Sequence, residues 1–230
     1  MEQTVVRTEE KYLLDVREAE ALYGRLCMQL KGDSFNGTKP YLVRSLYFDT
    51  LDNCDYEEKL MGIENRRKIR LRVYDPHSET AKLEIKKKQG AAQKKSSVTV
   101  TREDAKALIA GNYDVLKAYD SETAQEIWGR MVSMHYRPVC MVEYFRRAFV
   151  VPTNDTRITF DSEVRSNEGN FGLFDDKLYT YPVMDINQTI LEVKYNRFLL
   201  GYVQDMLHLS RGEAVSSSKY CMARKYGLHY

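Results

Sequence analysis

Several short runs of this chain alternate strictly between charged and aliphatic side chains, and a period of two dictates extended strands with two unlike faces. In Lys68-Ile69-Arg70-Leu71-Arg72-Val73 the three bases share one side and Ile69, Leu71 and Val73 the other, because successive side chains of a strand point to opposite faces. Lys82-Leu83-Glu84-Ile85-Lys86 sorts in the same way. So do Glu9 with Lys11 near the start, and Glu192 with Lys194 in Leu191-Glu192-Val193-Lys194-Tyr195. At least four strands therefore carry a mixed, mainly basic face backed by an apolar one.

Between these runs the pattern changes. A first strand is expected at 4–12 and a helix at 16–30, with Asp15 as its cap, Glu18 completing a capping box, and Ala19, Leu22, Leu26 and Leu30 as its apolar stripe. Runs at 42–48, 68–74, 82–88 and 94–100, separated by turn signals such as Asp75-Pro76 and Gln89-Gly90, predict an antiparallel meander. Helices follow at 102–109 behind Thr101 and at 122–132 behind Ser121. Strands resume at 139–151, 158–161 and 189–195, with a weaker one at 179–184, and the chain closes on helices at 197–209 and 217–226. No linker, repeat or low-complexity segment divides residues 1–230, so the expectation is one α+β domain.

Helices need an apolar surface to pack on. If they cover the aliphatic faces, the charged faces converge inside a closed antiparallel β-barrel of about eight strands, whose interior is only as wide as its side chains. Net charge is only +2, yet from Arg66 to Lys95 eleven bases (Arg66, Arg67, Lys68, Arg70, Arg72, Lys82, Lys86, Lys87, Lys88, Lys94, Lys95) face three acids (Asp75, Glu79, Glu84). Such a block attracts polyanions. Enclosed cations repel one another unless an anion or carboxylates compensate them, and Glu9, Glu84, Glu143, Asp161 and Glu192 are the candidates. A basic tunnel with a few carboxylates suits phosphate chains and a divalent metal. In Lys86-Lys87-Lys88 only Lys86, with Lys88 beside it, can point inward, leaving Lys87 to solvent.

The ordered set Glu9-x-Lys11, Tyr47-Phe48-Asp49-Thr50, Arg70-x-Arg72, Glu84-x-Lys86, Tyr144-x-Arg146, Arg157-Ile158-Thr159-x-Asp161, Leu191-Glu192-Val193-Lys194 and Ser218-Lys219-Tyr220 resembles the VTC domain. This is the polyphosphate polymerase domain of the triphosphate tunnel metalloenzymes, related to CYTH proteins. The resemblance runs from about residue 7 to 225. It implies an antiparallel tunnel that transfers the terminal phosphoryl group of ATP to inorganic polyphosphate. Carried over, Lys11, Arg70, Arg72, Lys86, Arg146, Arg157 and Lys219 are the catalytic, phosphate-holding cations, with Lys94 and Lys194 as further substrate contacts. Glu192 is the ligand of Mn2+ or Mg2+. Glu9 and Glu84 are either further ligands or counter-charges to nearby bases. The residue types fit the task, since arginine grips phosphate oxygens bidentately and lysine acts as a compact charge. One position departs from the pattern: Ser216 stands where catalytic fungal members carry a lysine.

Other classes are set aside. With 43% hydrophobic and 30% charged residues the chain can bury a core, and no apolar run reaches the roughly 20 residues that span a bilayer. The start MEQTVVRTEEKY lacks a secretory pattern, which predicts a cytoplasmic protein, and Cys27, Cys54, Cys140 and Cys221 are too scattered for zinc or a disulfide framework. No RNP-like motif or basic recognition helix supports specific nucleic-acid binding. A tunnel triphosphatase and a non-catalytic polyphosphate or inositol-phosphate sensor remain as alternatives to the polymerase. Any protein partner is unknown.

Overall fold

The computed structural model describes residues 7–37, 39–90, 92–208, 212–216 and 218–227. The early part of the expected first strand, residues 4–6, and the helix positions Leu209 and Ser217 lie outside them. Among the described residues there are ten strands and six α-helices: β1 (Arg7–Asp15), α1 (Val16–Cys27), β2 (Tyr41–Asp49), α2 (Cys54–Leu60), β3 (Arg66–Val73), β4 (Thr80–Gln89), β5 (Ala92–Thr101), α3 (Arg102–Ile109), α4 (Glu122–Ser133), β6 (Arg137–Val151), β7 (Thr156–Asn167), β8 (Tyr181–Pro182), β9 (Gln188–Asn196), α5 (Gly201–His208), β10 (Glu213–Ala214) and α6 (Lys219–Gly227). A 3-10 turn at Tyr113–Ala118 joins α3 to α4.

The strands pair in the order β10-β1-β9-β7-β6-β2-β3-β4-β5, with β8 on β7. The described pairings are antiparallel, including the expected meander from β2 to β5. The class is thus α+β, but the barrel is corrected: this path is open, ending at the two-residue β10 and at β5, with no closing pair among the described residues. Alternation along each strand, from which closure was argued, sets only which side chains share a face.

Two compact units make up the chain, each from three separate segments: 1–42, 144–164 and 184–217 in the first, and 43–143, 165–183 and 218–230 in the second. They are interleaved along the chain, so no single cut separates them. In the first unit, Leu14, Ile158, Phe160, Leu191 and Val193 from β1, β7 and β9 pack on Ala19, Leu22 and Leu26 of α1 and on Val203, Met206 and Leu207 of α5. In the second, Leu46, Phe48, Ile69, Leu71, Leu83, Ile85 and Val100 from β2 to β5 pack on Ala105 and Leu108 of α3 and on Ile127 and Met131 of α4. The aliphatic faces go to the helices, as the alternation predicts. Among the described residues no helix is long and apolar enough to cross a membrane.

Single residues switch strand to helix without a loop. Asp15 ends β1 and accepts from the Arg17 amide at 2.8 Å, and Thr101 ends β5 and accepts from the Asp104 amide at 3.1 Å. Ser121 caps α4 through the Ala124 amide. Helix α1 ends at Cys27, short of the expected residue 30, and α5 starts only at Gly201, after Arg197 at a φ of 62°. The strand expected at 179–184 is the two-residue β8.

Helix α2 was not expected, and its organiser lies before it. The buried Asp49 carboxylate at the end of β2 accepts from the amides of Thr50, Asp55 and Tyr56. Asp55 is itself buried, accepting from the Tyr136 hydroxyl at 2.9 Å while its Oδ2 has no hydrogen-bond partner. Burial, reinforced by Asp49, pushes the Asp55 carboxyl up to about 7. A raised acid pKa means the folded chain keeps a proton that the unfolded chain loses above about 4, so stability falls between about pH 4 and 7 and levels off above. Asp55→Asn should therefore melt several degrees above wild type at pH 8, with the gap closing by pH 4.5. Thermal denaturation across that range checks this; a pH-independent gap contradicts it.

Candidate functional site

Register decides which charges meet. In the second unit Arg70 stands opposite Glu84 and Tyr47, Arg72 opposite Ser45, and Lys68 opposite Lys86, which stands opposite Lys95. One face of β2 to β5 therefore gathers Tyr47, Lys68, Arg70, Arg72, Glu84, Lys86 and Lys95. Glu84 is 1% exposed; its Oε2 accepts from Arg70 Nε and its Oε1 from Lys95 Nζ, both at 2.7 Å, with Arg72 Nη1 at 3.9 Å. Burial opposes its ionisation, but Arg70, Arg72 and Lys95 outweigh burial and hold its carboxyl well below the usual range. Both oxygens of Glu84 thus face cations, the arrangement of a counter-charge.

The arginines are fixed further by Arg72 Nε donating to Ser45 Oγ and Arg70 Nη1 to the Tyr47 hydroxyl, each at 3.0 Å. Burial alone would raise the Tyr47 phenol, yet Arg70, Arg72 and Lys68 turn the shift downward. Helix α6 ties onto the same face. Lys68 Nζ donates to Ser218 Oγ at 2.6 Å, the Tyr220 ring stacks on Tyr47 at 4.9 Å, and its hydroxyl donates to Asp49. Lys219 opens α6 between these two anchors.

Lys94 is not part of this face. It stands opposite Lys87 on the other side of the sheet, where Lys87 donates to Glu126 of α4 at 2.6 Å. Lys95 occupies the place expected for Lys94.

The first unit gathers a second set on β1, β6, β7 and β9, where Lys11 stands opposite Glu192, and Glu9 and Arg157 each stand opposite Lys194. Arg146 grips the fully buried Asp161 bidentately, Nε to Oδ1 at 2.6 Å and Nη2 to Oδ2 at 2.7 Å, and reaches within 3.9 Å of Glu192. Lys194 Nζ lies 2.8 Å from Glu192 and 4.0 Å from Glu9, and Lys11 lies 3.0 Å from Glu9. Burial works against the Lys11 ammonium, but Glu192, Glu9 and Asp161 outweigh it and raise its pKa. Arg157 donates to Asp33 and, at 3.4 Å, to the Tyr41 hydroxyl.

The two sets differ in charge. Four cations (Lys11, Arg146, Arg157, Lys194) meet four carboxylates (Glu9, Asp33, Asp161, Glu192) in the first unit, whereas in the second Glu84 meets Arg70, Arg72 and Lys95 on a face that also bears Lys68 and Lys86, with the buried Asp49 at the end of β2 accepting from Tyr220. Among the described residues no three His, Cys, Asp or Glu side chains group to hold a metal by themselves. Glu9 and Glu192, both beside Lys194, are of the type that would supply the one or two hard oxygen ligands Mg2+ or Mn2+ takes when phosphate oxygens and water complete its shell. That donor set fits the first unit better than Glu84 does in the second.

Lys68, Lys95, Tyr47 and Asp33 were not among the site residues expected from the sequence. Alternation already put Lys68 on the side of Arg70 and Arg72, without a site role, whereas Lys95 was legible only as a base in the block and register assigns it to the face. Asp33 lies outside the strands, where periodicity carries no signal.

The family model of the VTC domain matches residues 6–227. No curated protein matches the chain. Among solved structures, the fold is similar to that of a putative adenylate cyclase from Bacillus halodurans, at 12% identity and a TM-score of 0.54 over 93% of each chain. It is similar also to one from Vibrio parahaemolyticus, at 13% identity and a TM-score of 0.52, covering 96% of this chain and 99% of that one. Such distant likeness speaks for the fold alone.

Glu84→Gln would leave Arg70, Arg72 and Lys95 without their counter-charge. Breaking a buried charge cluster costs about 3 to 5 kcal/mol, so urea denaturation should show a loss of that order, and inorganic tripolyphosphate should restore more stability to the variant than it adds to wild type. A variant as stable as wild type would show that these cations need no internal carboxylate.

Proposed function

Because the chain belongs to the VTC domain family, we propose that it transfers the terminal phosphoryl group of ATP to inorganic polyphosphate. The observation that carries this reading is the excess of fixed cations over carboxylate on the β2 to β5 face. Arg70, held by Glu84 and Tyr47, and Arg72, held by Ser45, keep guanidinium edges in place for phosphate oxygens, with Lys68, Lys86 and Lys95 as point charges and Lys219 at the start of α6. Preset cations neutralise the charge of a transferring phosphoryl group without reorganising. In the first unit Lys11, Arg146, Arg157 and Lys194 are the phosphate contacts.

Glu192 and Glu9 are the side chains that would hold Mn2+ or Mg2+, which when bound supplies charge neutralisation at phosphate oxygens. Asp161 and Lys194 orient this pair, the former by fixing Arg146 and the latter by lying beside both carboxylates. No side-chain nucleophile is needed, because phosphoryl transfer rests on positioning and electrostatics. The acceptor is the terminal phosphate of an existing chain. Ser216, in place of a lysine, leaves one cation fewer near Ser218-Lys219-Tyr220, and this favours hydrolysis to water as the second reading.

Incubation with γ-labelled ATP and Mn2+, with and without a short polyphosphate primer, separates these readings on a gel. Wild type should build a ladder, and Glu192→Gln should lose it while still binding tripolyphosphate. Free phosphate alone identifies a triphosphatase; tight polyphosphate binding without turnover identifies a sensor and overturns the enzyme reading.

A further inference from the structure

One large apolar side chain of the first unit stands among turn-forming residues, beside an arginine read as a phosphate contact. In Gly32-Asp33-Ser34-Phe35-Asn36-Gly37 the small and polar residues favour a turn. This turn is clasped to β6. Gly32 bridges Phe149, the Asp33 amide donates to the Ala148 carbonyl at 2.8 Å, and the Asn36 amide donates back to the Asp33 carbonyl at 2.9 Å. The Asn36 side chain closes the clasp, donating to the Ala148 carbonyl at 2.6 Å and accepting from the Ala148 amide at 3.0 Å. A side chain at position 32 would disturb it, because a Cβ there would stand 2.9 Å from Asn36 Nδ2.

Phe35 is held by this turn with 58% of its surface exposed. Its ring lies 5.8 Å from that of Tyr41, tilted by 44°. Both residues are tied to Arg157: Asp33 accepts from the Phe35 amide at 3.4 Å through Oδ1 and from Arg157 through Oδ2, and Arg157 also donates to the Tyr41 hydroxyl at 3.4 Å. Burial raises the Tyr41 phenol, and Arg146 and Arg157 work against that rise, so the hydroxyl lies in the field of both arginines. Arg157 keeps 39% of its side chain exposed and stands opposite Lys194. A single exposed hydrophobic side chain is ordinary on a protein surface. Phe35 differs in being fixed by a clasped turn, set beside a second ring, and joined through one carboxylate to an arginine that reaches solvent.

We infer that Phe35, with Tyr41 beside it, is the stacking platform for the base of the nucleoside triphosphate whose phosphates meet Arg157. This rests on the reading of Arg157 as a phosphate contact and adds a base subsite to it. Stacking uses the π-face that every base presents and reads no hydrogen-bonding edge. The subsite therefore separates a nucleotide from a bare phosphate chain without choosing between ATP and GTP.

The test compares wild type with Phe35→Ala, Phe35→Leu and Phe35→Trp, measuring by calorimetry with Mg2+ the affinity for the non-hydrolysable imido analogues of ATP and GTP and for tripolyphosphate, after equal melting is confirmed. Phe35→Ala should lose about tenfold or more for both nucleotides and less than about twofold for tripolyphosphate. Phe35→Trp should keep nucleotide binding; Phe35→Leu, which has apolar bulk and no π-face, should lose it as Phe35→Ala does. Unchanged nucleotide affinity in Phe35→Ala overturns the inference and leaves Phe35 an ordinary surface residue. An equal loss for tripolyphosphate also overturns it, since Phe35 would then act by holding Asp33 and Arg157 in place. Wild type that binds neither the nucleotides nor tripolyphosphate instead sinks the phosphate reading itself, whatever the variants do.

Discussion

Cations cannot be crowded onto a strand face without something to hold them there, and Glu84 is the group that answers this in the second unit. One carboxylate with both oxygens engaged fixes Arg70 and Lys95 and lies near Arg72. Bases outnumber carboxylates among the named residues of this face, and on the proposed reading that excess attracts anions. Tyr47 and Ser45 orient the guanidinium groups without adding negative charge, so geometry is set while the net field stays positive. In the first unit the named cations and carboxylates are equal in number.

Much of this was legible in the sequence, because alternation is a local property. The faces of β3, β4 and β9 follow from period two, and Thr101, Ser121 and Asp15 announce their helices by chemistry that acts within three residues. The family likewise rests on short motifs kept in order. What the sequence withheld is relational. Whether Lys94 or Lys95 joins Glu84 depends on the number of residues in the turn between β4 and β5, and a slip of one swaps every side chain to the other face. Helix α2 was hidden because Asp49, five residues before its start, accepts from its Asp55 and Tyr56 amides.

Closure of the sheet failed as an expectation for a related reason. Two-faced strands and helices on the apolar side are equally compatible with an open and a closed sheet, and only the pairing of end strands distinguishes them. The outermost strands here are a two-residue β10 and a lysine-bearing β5. Lysines on a terminal strand discourage pairing with other chains.

The partners of β1 have a consequence for how the molecule is made. As the chain is synthesised, β3 to β5 can pair in turn with neighbours only a hairpin away and β2 with β3 across α2, whereas β1 finds its described partners in β9 and β10, with Arg7 against Asn196 and Tyr12 against Ala214. Such distant pairings form slowly, since loop closure precedes any contact. Among the described strands β1 is thus one of the last to be satisfied. Until then its backbone groups and the apolar side of Leu14 stay available to wrong partners, and chaperone dependence would concentrate on this strand.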